Sequence, residues 1–354
     1  MGVLVVGAGP VGLSAALGLA ELGVNCRIVE RRTKPSELSR AVGIMPQTID
    51  LLRPSGAGEA IVAEGMPLTK FRVLRGGRTL LNIDNSGPDF RDAIMTGLPQ
   101  NRTEEILRDT LAKKDVAVEY GCAVEQISTD DDQASVTVSG QPKARFDWVI
   151  AADGMNSTVR QQLGIAYPGF DLSAEWSIAD VELEGAFDPE QVTVHIQGPG
   201  ELFVLVLPIE ARRVRIVSST SDALAALPVP MNIARVRRMA TFTISLRQAE
   251  TYLRGRVLLA GDAAHCHSPV GGRGMNLGID DAFAAARAVH SGDVATYSQK
   301  RHIIGAKVMK ASEAARKMVT SNSRLVHLLT QGAMGAVQAV APLRRLVMAK
   351  MSSF

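Results

Sequence analysis

The sequence predicts an α/β protein in which a nucleotide-binding unit of parallel strands and helices is interleaved with a mostly antiparallel β-sheet domain, followed by C-terminal helices. Three observations predict it. An apolar run at residues 3–6 leads straight into Gly7-Ala8-Gly9-Pro10-Val11-Gly12 and then into the helical spacing of Leu13, Ala16, Leu17 and Ala20. Residues 255–281, GRVLLAGDAAHCHSPVGGRGMNLGIDD, repeat that grammar far along the chain: apolar strand, carboxylate, glycines, helix. Between them, alternating apolar runs at 71–94 and 173–217 carry turn signals and little helical period.

The 354 residues exceed what one ordinary core organises, which points to two domains. A hydrophobic content of 46% with 21% charged residues is that of an ordinary globular protein. The net charge of +3 is spread along the chain, which argues against a nucleic-acid partner and leaves an anionic small molecule compatible. Cys26, Cys122 and Cys266 lie far apart, so reduced thiols in a cytoplasmic protein are expected rather than a disulfide framework. The apolar N-terminus lacks a basic region and is broken by Gly7, Gly9 and Pro10, unlike a signal peptide or a membrane span.

In chain order, the first unit reads as strand, G-x-G-x-x-G, helix stopped by Gly23, and a second strand ending at Glu30. The glycines permit a tight turn and close approach of a pyrophosphate to the helix N-terminus, and Glu30 can bind a ribose hydroxyl pair. Pro10 and Val11 stand in that turn and Arg31 follows the acid. Arg40 offers either a phosphate fork or a solvated loop arginine. A helical pattern covers 48–52. A hairpin is expected around Arg75-Gly76-Gly77-Arg78. Residues 100–111 read as a helix capped near Asn101 or Thr103, with Glu104 and Glu105 in its first turn. Gln100 and Arg102 at its head can either meet a cofactor or cap it.

Strands are expected at 116–119, 124–128 and 134–138, and a buried one at 147–152 ends in Asp153-Gly154 before a short helix carrying Arg160. The runs between 173 and 217 form an antiparallel sheet, completing the one begun near Phe71. Residues 221–250 are ambiguous. In the second glycine-rich stretch, Gly261-Asp262 stands where a strand ends, so the carboxylate can accept hydrogen bonds from a polyhydroxyl chain. Gly271-Gly272-Arg273-Gly274 then opens a helix from Met275-Asn276, whose N–H groups and dipole can face developing negative charge. Helices follow at 282–290, around 297–319 and in the apolar tail 325–351. The expected division is 1–70, 97–170 and 251–320 for the nucleotide-binding domain, 71–96 and 171–250 for the sheet domain, and 321–354 for the helical tail.

Taken in order, residues 7–31, Ala152-Asp153-Gly154-Met155-Asn156-Ser157-Thr158-Val159-Arg160, and residues 255–276 resemble the single-component FAD-dependent aromatic hydroxylases, the group of p-hydroxybenzoate hydroxylase. The resemblance covers residues 1–320 and implies a Rossmann-type FAD-binding domain interleaved with a sheet domain for the substrate. It implies that Gly7, Gly9, Gly12 and Glu30 hold the ADP half of FAD. Asp153 and Gly154 lie near the pyrophosphate and serve FAD and the nicotinamide cofactor, and Gly261 and Asp262 take the ribityl chain. Arg40 and Gln100 sit where the family places FAD contacts, and Pro269 lines the flavin face. Gly272, Gly274, Met275 and Asn276 bring the helix N-terminus to the reduced flavin. The implied chemistry is that of a monooxygenase: NAD(P)H, docked transiently, reduces the flavin, O2 forms a C4a-hydroperoxide, and OH passes to a phenolic or polycyclic aromatic ring.

Arg273 stands where this group commonly has glutamine; near the flavin or an acidic substrate it adds a positive charge, and otherwise it faces solvent. The chain is expected to be shorter than most relatives and without their C-terminal thioredoxin-like domain. With four tyrosines and two tryptophans, an aliphatic, Met-rich pocket is expected. The alternatives are an oxidase or reductase of the same fold, or a non-catalytic flavin-binding protein; Trp148 and Trp176 are too far apart for the Trp-x-Trp-x-Ile-Pro stretch of the halogenases. His265-Cys266-His267 suggests a metal, but three residues of one loop do not close a site, and no metal is expected. The stripe Leu325, Val326, Leu328, Leu329, Met334, Val337, Val340 and Leu343 is expected to pack on its own protein rather than lie on a membrane.

Overall fold

A computed structural model describes residues 2–37, 39, 41–86, 94–197, 202–321, 323–340, 342–344 and 346–347. The chain opens as β1 (Val3–Val6), α1 (Pro10–Glu21) and β2 (Cys26–Glu30). β1 pairs in parallel with β2, Val3 opposite Cys26. Val3 to Val6 of β1 are all buried, which is why that strand is continuously apolar rather than alternating. Leu13, Leu17 and Leu19 of α1 are fully buried, and α1 crosses a later helix so closely that a Cβ on Gly18 would stand 3.1 Å from Ala286 Cβ.

Next come β3 (Gly43–Ile44), α2 (Pro46–Leu52), α3 (Ala57–Glu64), β4 (Met66–Leu68), the hairpin β5 (Lys70–Arg75) and β6 (Arg78–Asp84), β7 (Met95–Gly97) and α4 (Gln100–Ala112). The expected cap of α4 is corrected here. Its N-cap is Pro99, no side chain caps it, and Glu104 and Glu105 fall beyond the first turn. The loop before α2 does the work of a cap: Gln100 N–H donates to Ala41 O and to Ser39 Oγ. β8 (Val118–Tyr120), β9 (Val124–Thr129), β10 (Ala134–Val138), β11 (Ala144–Phe146), β12 (Trp148–Ala151) and α5 (Thr158–Gln162) follow.

β13 (Gly169–Leu183), β14 (Gln191–Gln197), β15 (Leu202–Glu210), β16 (Arg213–Ser218) and β17 (Ile233–Gln248) build the second large sheet. β17 is a 16-residue strand inside the stretch whose pattern was ambiguous. Its first half is largely exposed and arginine-rich, so it lacks an apolar period; the ladder to β13 makes it a strand. After β18 (Leu253–Arg254) and β19 (Val257–Leu259), a 3₁₀ turn (Gly261–Ala263) leads to β20 (His265–Cys266). Three helices follow: α6 (Gly274–Ser291), closed by left-handed Gly292, α7 (Val294–Val319) and α8 (Arg324–Ala339).

The parallel core is a six-stranded sheet, β18-β19-β12-β1-β2-β8, in which only β18 runs antiparallel. The second is eight-stranded, β20-β17-β13-β16-β15-β14-β5-β6, antiparallel throughout except β14 with β5. Two three-stranded sheets, β11-β10-β9 and β3-β7-β4, complete the α/β fold. The tail divides its apolar stripe. Met334 and Val337 pack on the sheet cluster containing Ile83, Trp176, Ile196 and Phe203, and Asn82 N–H donates to Gln338 Oε1 at 2.8 Å. Leu325, Leu328 and Leu329 instead remain about two-thirds exposed, at 65–67%. Among the described residues, no helix is long and apolar enough to cross a membrane.

Candidate functional site

The C-terminal ends of β1, β2, β12 and β19 carry the glycine–acid motifs, and the parallel register brings them to one edge of the six-stranded sheet. Gly7 has φ +100°, and a Cβ there would stand 2.5 Å from Ala152 O; one on Gly12 would meet Gly7 O at 1.8 Å. A Cβ on Gly9 would meet nothing within 4 Å, so the space in front of α1 is open. α1 has no side-chain cap and carries Pro10 in its first turn. Open space before a capless helix start is the donor set a pyrophosphate needs. Val11 packs toward Gly261 instead.

Glu30 is nearly buried, 6% exposed, and already engaged. Its Oε2 accepts from Ala8 N–H at 2.8 Å, and Oε1 accepts from Arg32 N–H at 3.0 Å and Arg32 Nε at 2.9 Å. Burial works to raise its carboxyl, but Arg32 and the backbone donors outweigh it and hold it below the ordinary value. Any ligand hydroxyl brought to this carboxylate has to share it with Arg32, a competitor the sequence did not reveal. Arg31 beside it is exposed.

Asp153, just past β12, is half satisfied. Oδ2 accepts from Val159 N–H at 3.2 Å, while Oδ1 is buried with no hydrogen-bond partner. Burial raises its carboxyl against the opposing pull of Ser157 and the N–H groups of the next turn. A buried, unsatisfied carboxylate oxygen beside the Gly7 turn fits a cofactor whose hydroxyl groups or bound water complete it. Gly154 is left-handed, φ +84°. Arg160, to which the sequence assigned no role, is 4% exposed and donates to Ala263 O at 2.9 Å and Met155 O at 2.8 Å. Its guanidinium lies 3.7 Å over the Tyr167 ring, and Tyr167 OH donates to Asp262 O at 2.8 Å. So the second and third motifs are bonded to each other. A cavity of 440 Å³ opens beside them, lined by Met155, Asn156, Tyr167 and Arg247 among others.

Gly261 is left-handed, φ +60°, and packs on Val11; Asp262 is exposed. Beyond β20, Pro269 is exposed, Gly271 and Gly272 are left-handed at +96° and +64°, and Gly274 opens α6 without a side-chain cap. Arg273 is the N-cap residue, half-buried, and burial lowers its guanidinium from the ordinary value. Met275 is buried in the core. Asn276 is spent on structure: Oδ1 accepts from Met45 N–H and Thr48 Oγ1, both at 2.8 Å, and Nδ2 donates to Gly43 O and Gly272 O. Only its backbone is left for a ligand.

Gln100 is likewise committed. Its Oε1 accepts from Ala41 N–H at 3.0 Å and its Nε2 donates to Glu104. Arg102 pairs outward with Glu64. Arg40 lies outside the described residues. The neighbouring Ser39 carbonyl is gripped from the eight-stranded sheet by Arg215 at 2.9 Å and Arg238 at 2.8 Å, with Arg215 itself paired to buried Asp180. No sequence signal marked this clamp. His265 and His267 stack, centroids 6.3 Å apart, and among the described residues no group of three His, Cys, Asp or Glu side chains is arranged to hold a metal. The sheet cluster against which Val270 packs contains Trp176 and Phe203, with Phe242 beside them.

Comparison with known proteins shows the family of this chain. A family model described as FAD binding domain matches residues 1–228 and 222–312. The chain is 30% identical to 6-methylpretetramide 4-monooxygenase of Streptomyces rimosus, over 98% of this chain and 67% of that protein. It is 28% identical to pentachlorophenol 4-monooxygenase of Sphingobium chlorophenolicum, over 91% and 65%. Among solved structures, p-nitrophenol 4-monooxygenase from Pseudomonas putida superposes with a TM-score of 0.88 at 25% identity, covering 99% of this chain and 96% of that one. Aklavinone-11 hydroxylase, solved with FAD and aklavinone, superposes at 0.74 with 25% identity, covering 90% and 69%. The chain belongs to the family of FAD-dependent aromatic hydroxylases.

Proposed function

We propose that the protein hydroxylates a phenolic or polycyclic aromatic compound, using FAD, NAD(P)H and O2. The observation that carries this is the convergence of three strand-end carboxylates, Glu30, Asp153 and Asp262, on one sheet edge between two capless helix starts. Bound FAD supplies the oxidant, accepting electrons from NAD(P)H and passing oxygen to an electron-rich ring. The chain supplies binding, orientation and field. The Gly7, Gly9, Pro10, Val11 and Gly12 turn holds the pyrophosphate, and Glu30, released in part from Arg32, takes the ribose, with Arg31, Arg40 and Gln100 around it. Asp153 and Gly154 serve the pyrophosphate and the incoming NAD(P)H; Gly261 and Asp262 hold the ribityl chain. Pro269 and Gly272 line the ring, and the first-turn N–H groups of Gly274, Met275 and Asn276 favour negative charge on it. Arg273 adds a full charge at the same place.

Residues 1–70, 97–170 and 251–320 form the cofactor half of this division, 71–96 and 171–250 the substrate half. The cluster of Trp176, Phe203, Phe242 and Val270 provides a water-excluding wall for an aromatic substrate. Three unpaired cysteines and the use of NAD(P)H fit a cytoplasmic enzyme. The test is a visible spectrum of the purified protein followed by NAD(P)H oxidation with and without candidate phenols. Flavin absorbance and substrate-accelerated oxidation with a hydroxylated product are expected. Equal oxidation rates with and without every aromatic tested would instead mark an oxidase.

A further inference from the structure

A buried ionic pair ties the turn bearing Asp262 to α7, a helix that no motif includes. Asp281 Oδ2 accepts from Gly261 N–H at 3.1 Å and bonds His265 Nε2 at 2.6 Å. Its Oδ1 accepts from Arg301 Nε at 2.5 Å, and Arg301 Nη1 reaches Asp280 Oδ2 at 2.5 Å. Asp281 is fully buried and Arg301 is 5% exposed. A buried carboxylate is costly without a paired cation. Burial works to raise the Asp281 carboxyl, but His265 and Arg301 outweigh it and hold it below its ordinary value.

The pair acts on a particular place. Three successive residues of the turn are held through their main chain: Gly261 N–H by Asp281, Asp262 O by Tyr167 and Ala263 O by Arg160. Asp262 is the exposed residue of the three. Gly261 needs its left-handed φ for this shape, and α6 presses on it so closely that a Cβ on Gly278 would stand 3.3 Å from Gly261 Cα. Asp281 holds the turn through a carboxylate that His265 and, from α7, Arg301 keep ionised.

We propose that Arg301, acting through Asp281, is a positioning residue for FAD: it keeps the Gly261–Ala263 turn in the shape that presents Asp262 to the cofactor, which makes α7 part of the FAD site. This rests on the assignment of Asp262 to the ribityl chain. Losing Arg301 takes the donor from Asp281 Oδ1 and leaves His265 as the remaining partner of the carboxylate, so the carboxylate is free to turn or take up a proton and no longer holds Gly261 N–H in a fixed direction.

The test titrates FAD into flavin-free protein, reads the dissociation constant from quenching of flavin fluorescence, and records the thermal melt of each flavin-free variant. The set is Asp262→Ala, Arg301→Gln, Arg301→Lys, Asp281→Asn, the Arg301→Gln/Asp281→Asn double variant, and Val136→Ala, a fully buried residue of the β9–β11 sheet, as a stability control. Arg301→Gln and Asp281→Asn are each expected to weaken FAD binding by about tenfold or more, the range for hydrogen bonds to charged groups. The double variant binds no worse than the weaker single one, because both act through one contact. Arg301→Lys falls between wild type and Arg301→Gln, and stands in for it should Arg301→Gln fail to fold. Val136→Ala lowers the melting temperature and leaves FAD affinity unchanged. An Arg301 variant that loses melting temperature as Val136→Ala does, with wild-type FAD affinity, overturns the inference, as do additive effects in the double variant. An Asp262→Ala protein that binds FAD like wild type removes the ribityl assignment and this inference with it. Normal loss in Asp262→Ala with no change in the Arg301 variants removes this inference alone.

Discussion

Asp153→Asn should make the flavin-free protein more stable at neutral pH while impairing its function. The side chain keeps its shape, and an amide oxygen can still accept from Val159 N–H, the 3.2 Å bond to Oδ2. What disappears is negative charge on a carboxylate whose Oδ1 is buried without a partner. Leaving a buried polar atom unsatisfied costs about 1–3 kcal/mol, and more when it is charged. The amide leaves one neutral group unsatisfied in the same place, so the gain is the charged-minus-neutral difference, on the order of 1 kcal/mol. For a chain of this length that is roughly 2 °C in melting temperature.

The pH dependence fixes the cause. The folded Asp153 carboxyl is raised above its unfolded value, so the fold binds its proton more tightly. Its contribution is stabilising below the unfolded pKa of about 3.9 and is lost as pH rises through the folded value. The advantage of Asp153→Asn should therefore be absent at the acid end and grow toward neutrality. Urea titrations of flavin-free wild type and variant from pH 4 to 8 measure it, with unchanged m-values as the two-state check. Reduction of bound flavin by NAD(P)H should slow, with FAD partly retained. A variant less stable than wild type at pH 7, or a difference that does not vary with pH, would refute the reasoning.

Asp262→Ala should weaken FAD binding by about 1–3 kcal/mol if, as proposed, it accepts from the ribityl hydroxyls, with little loss of flavin-free stability because the residue is exposed; equilibrium dialysis and thermal melts check both. Arg273→Gln should lower the flavin midpoint potential: a unit charge at a partly buried site is worth about 1–3 kcal/mol at an effective dielectric of ~20, or roughly 20–60 mV for a two-electron couple. The measurement is a dye-coupled reductive titration, and equal potentials would place Arg273 away from the ring. His267→Phe should blunt acid unfolding. Burial first, then the neighbouring His265, push His267 down to about 4, so it folds neutral. Its stabilisation is complete above the unfolded pKa of ~6.5 and falls away toward pH 4, by roughly 3 kcal/mol at most. Denaturant titrations at pH 7 and pH 4.5 should show a smaller drop for the variant than for wild type.

Local sequence was a good guide where one peptide stretch contains its own cause. Gly7 to Glu30 is such a unit: the turn needs a left-handed Gly7 and a Gly12 without a side chain, and the helix and strands around it carry their own apolar periods. The Arg75–Arg78 hairpin was legible for the same reason. β17 was not, because a half-exposed strand takes its conformation from the ladder to β13. The cap of α4 was misread because the groups that satisfy it come from Ser39 and Ala41, about sixty positions earlier.

The sequence by itself determined the fold class and the glycine–acid motifs, because turn geometry and hydrophobic period are properties of a few adjacent residues. Only the tertiary structure decided what each polar side chain is free to do. Asn276 and Gln100 look like ligand contacts in one dimension, yet the Asn276 side chain is consumed by Met45, Thr48, Gly43 and Gly272, and the Gln100 amide is held by Ala41 and Glu104. Arg160 and Asp281 lie inside the motif stretches without a role that the sequence assigns, and Arg301 lies outside them, yet Arg160 and Asp281 bond the turn that bears Asp262 and Arg301 bonds Asp281. The reason is that each side chain has a limited number of donor protons and acceptor lone pairs, those spent inside the protein are lost to a ligand, and their partners are chosen by packing across the chain.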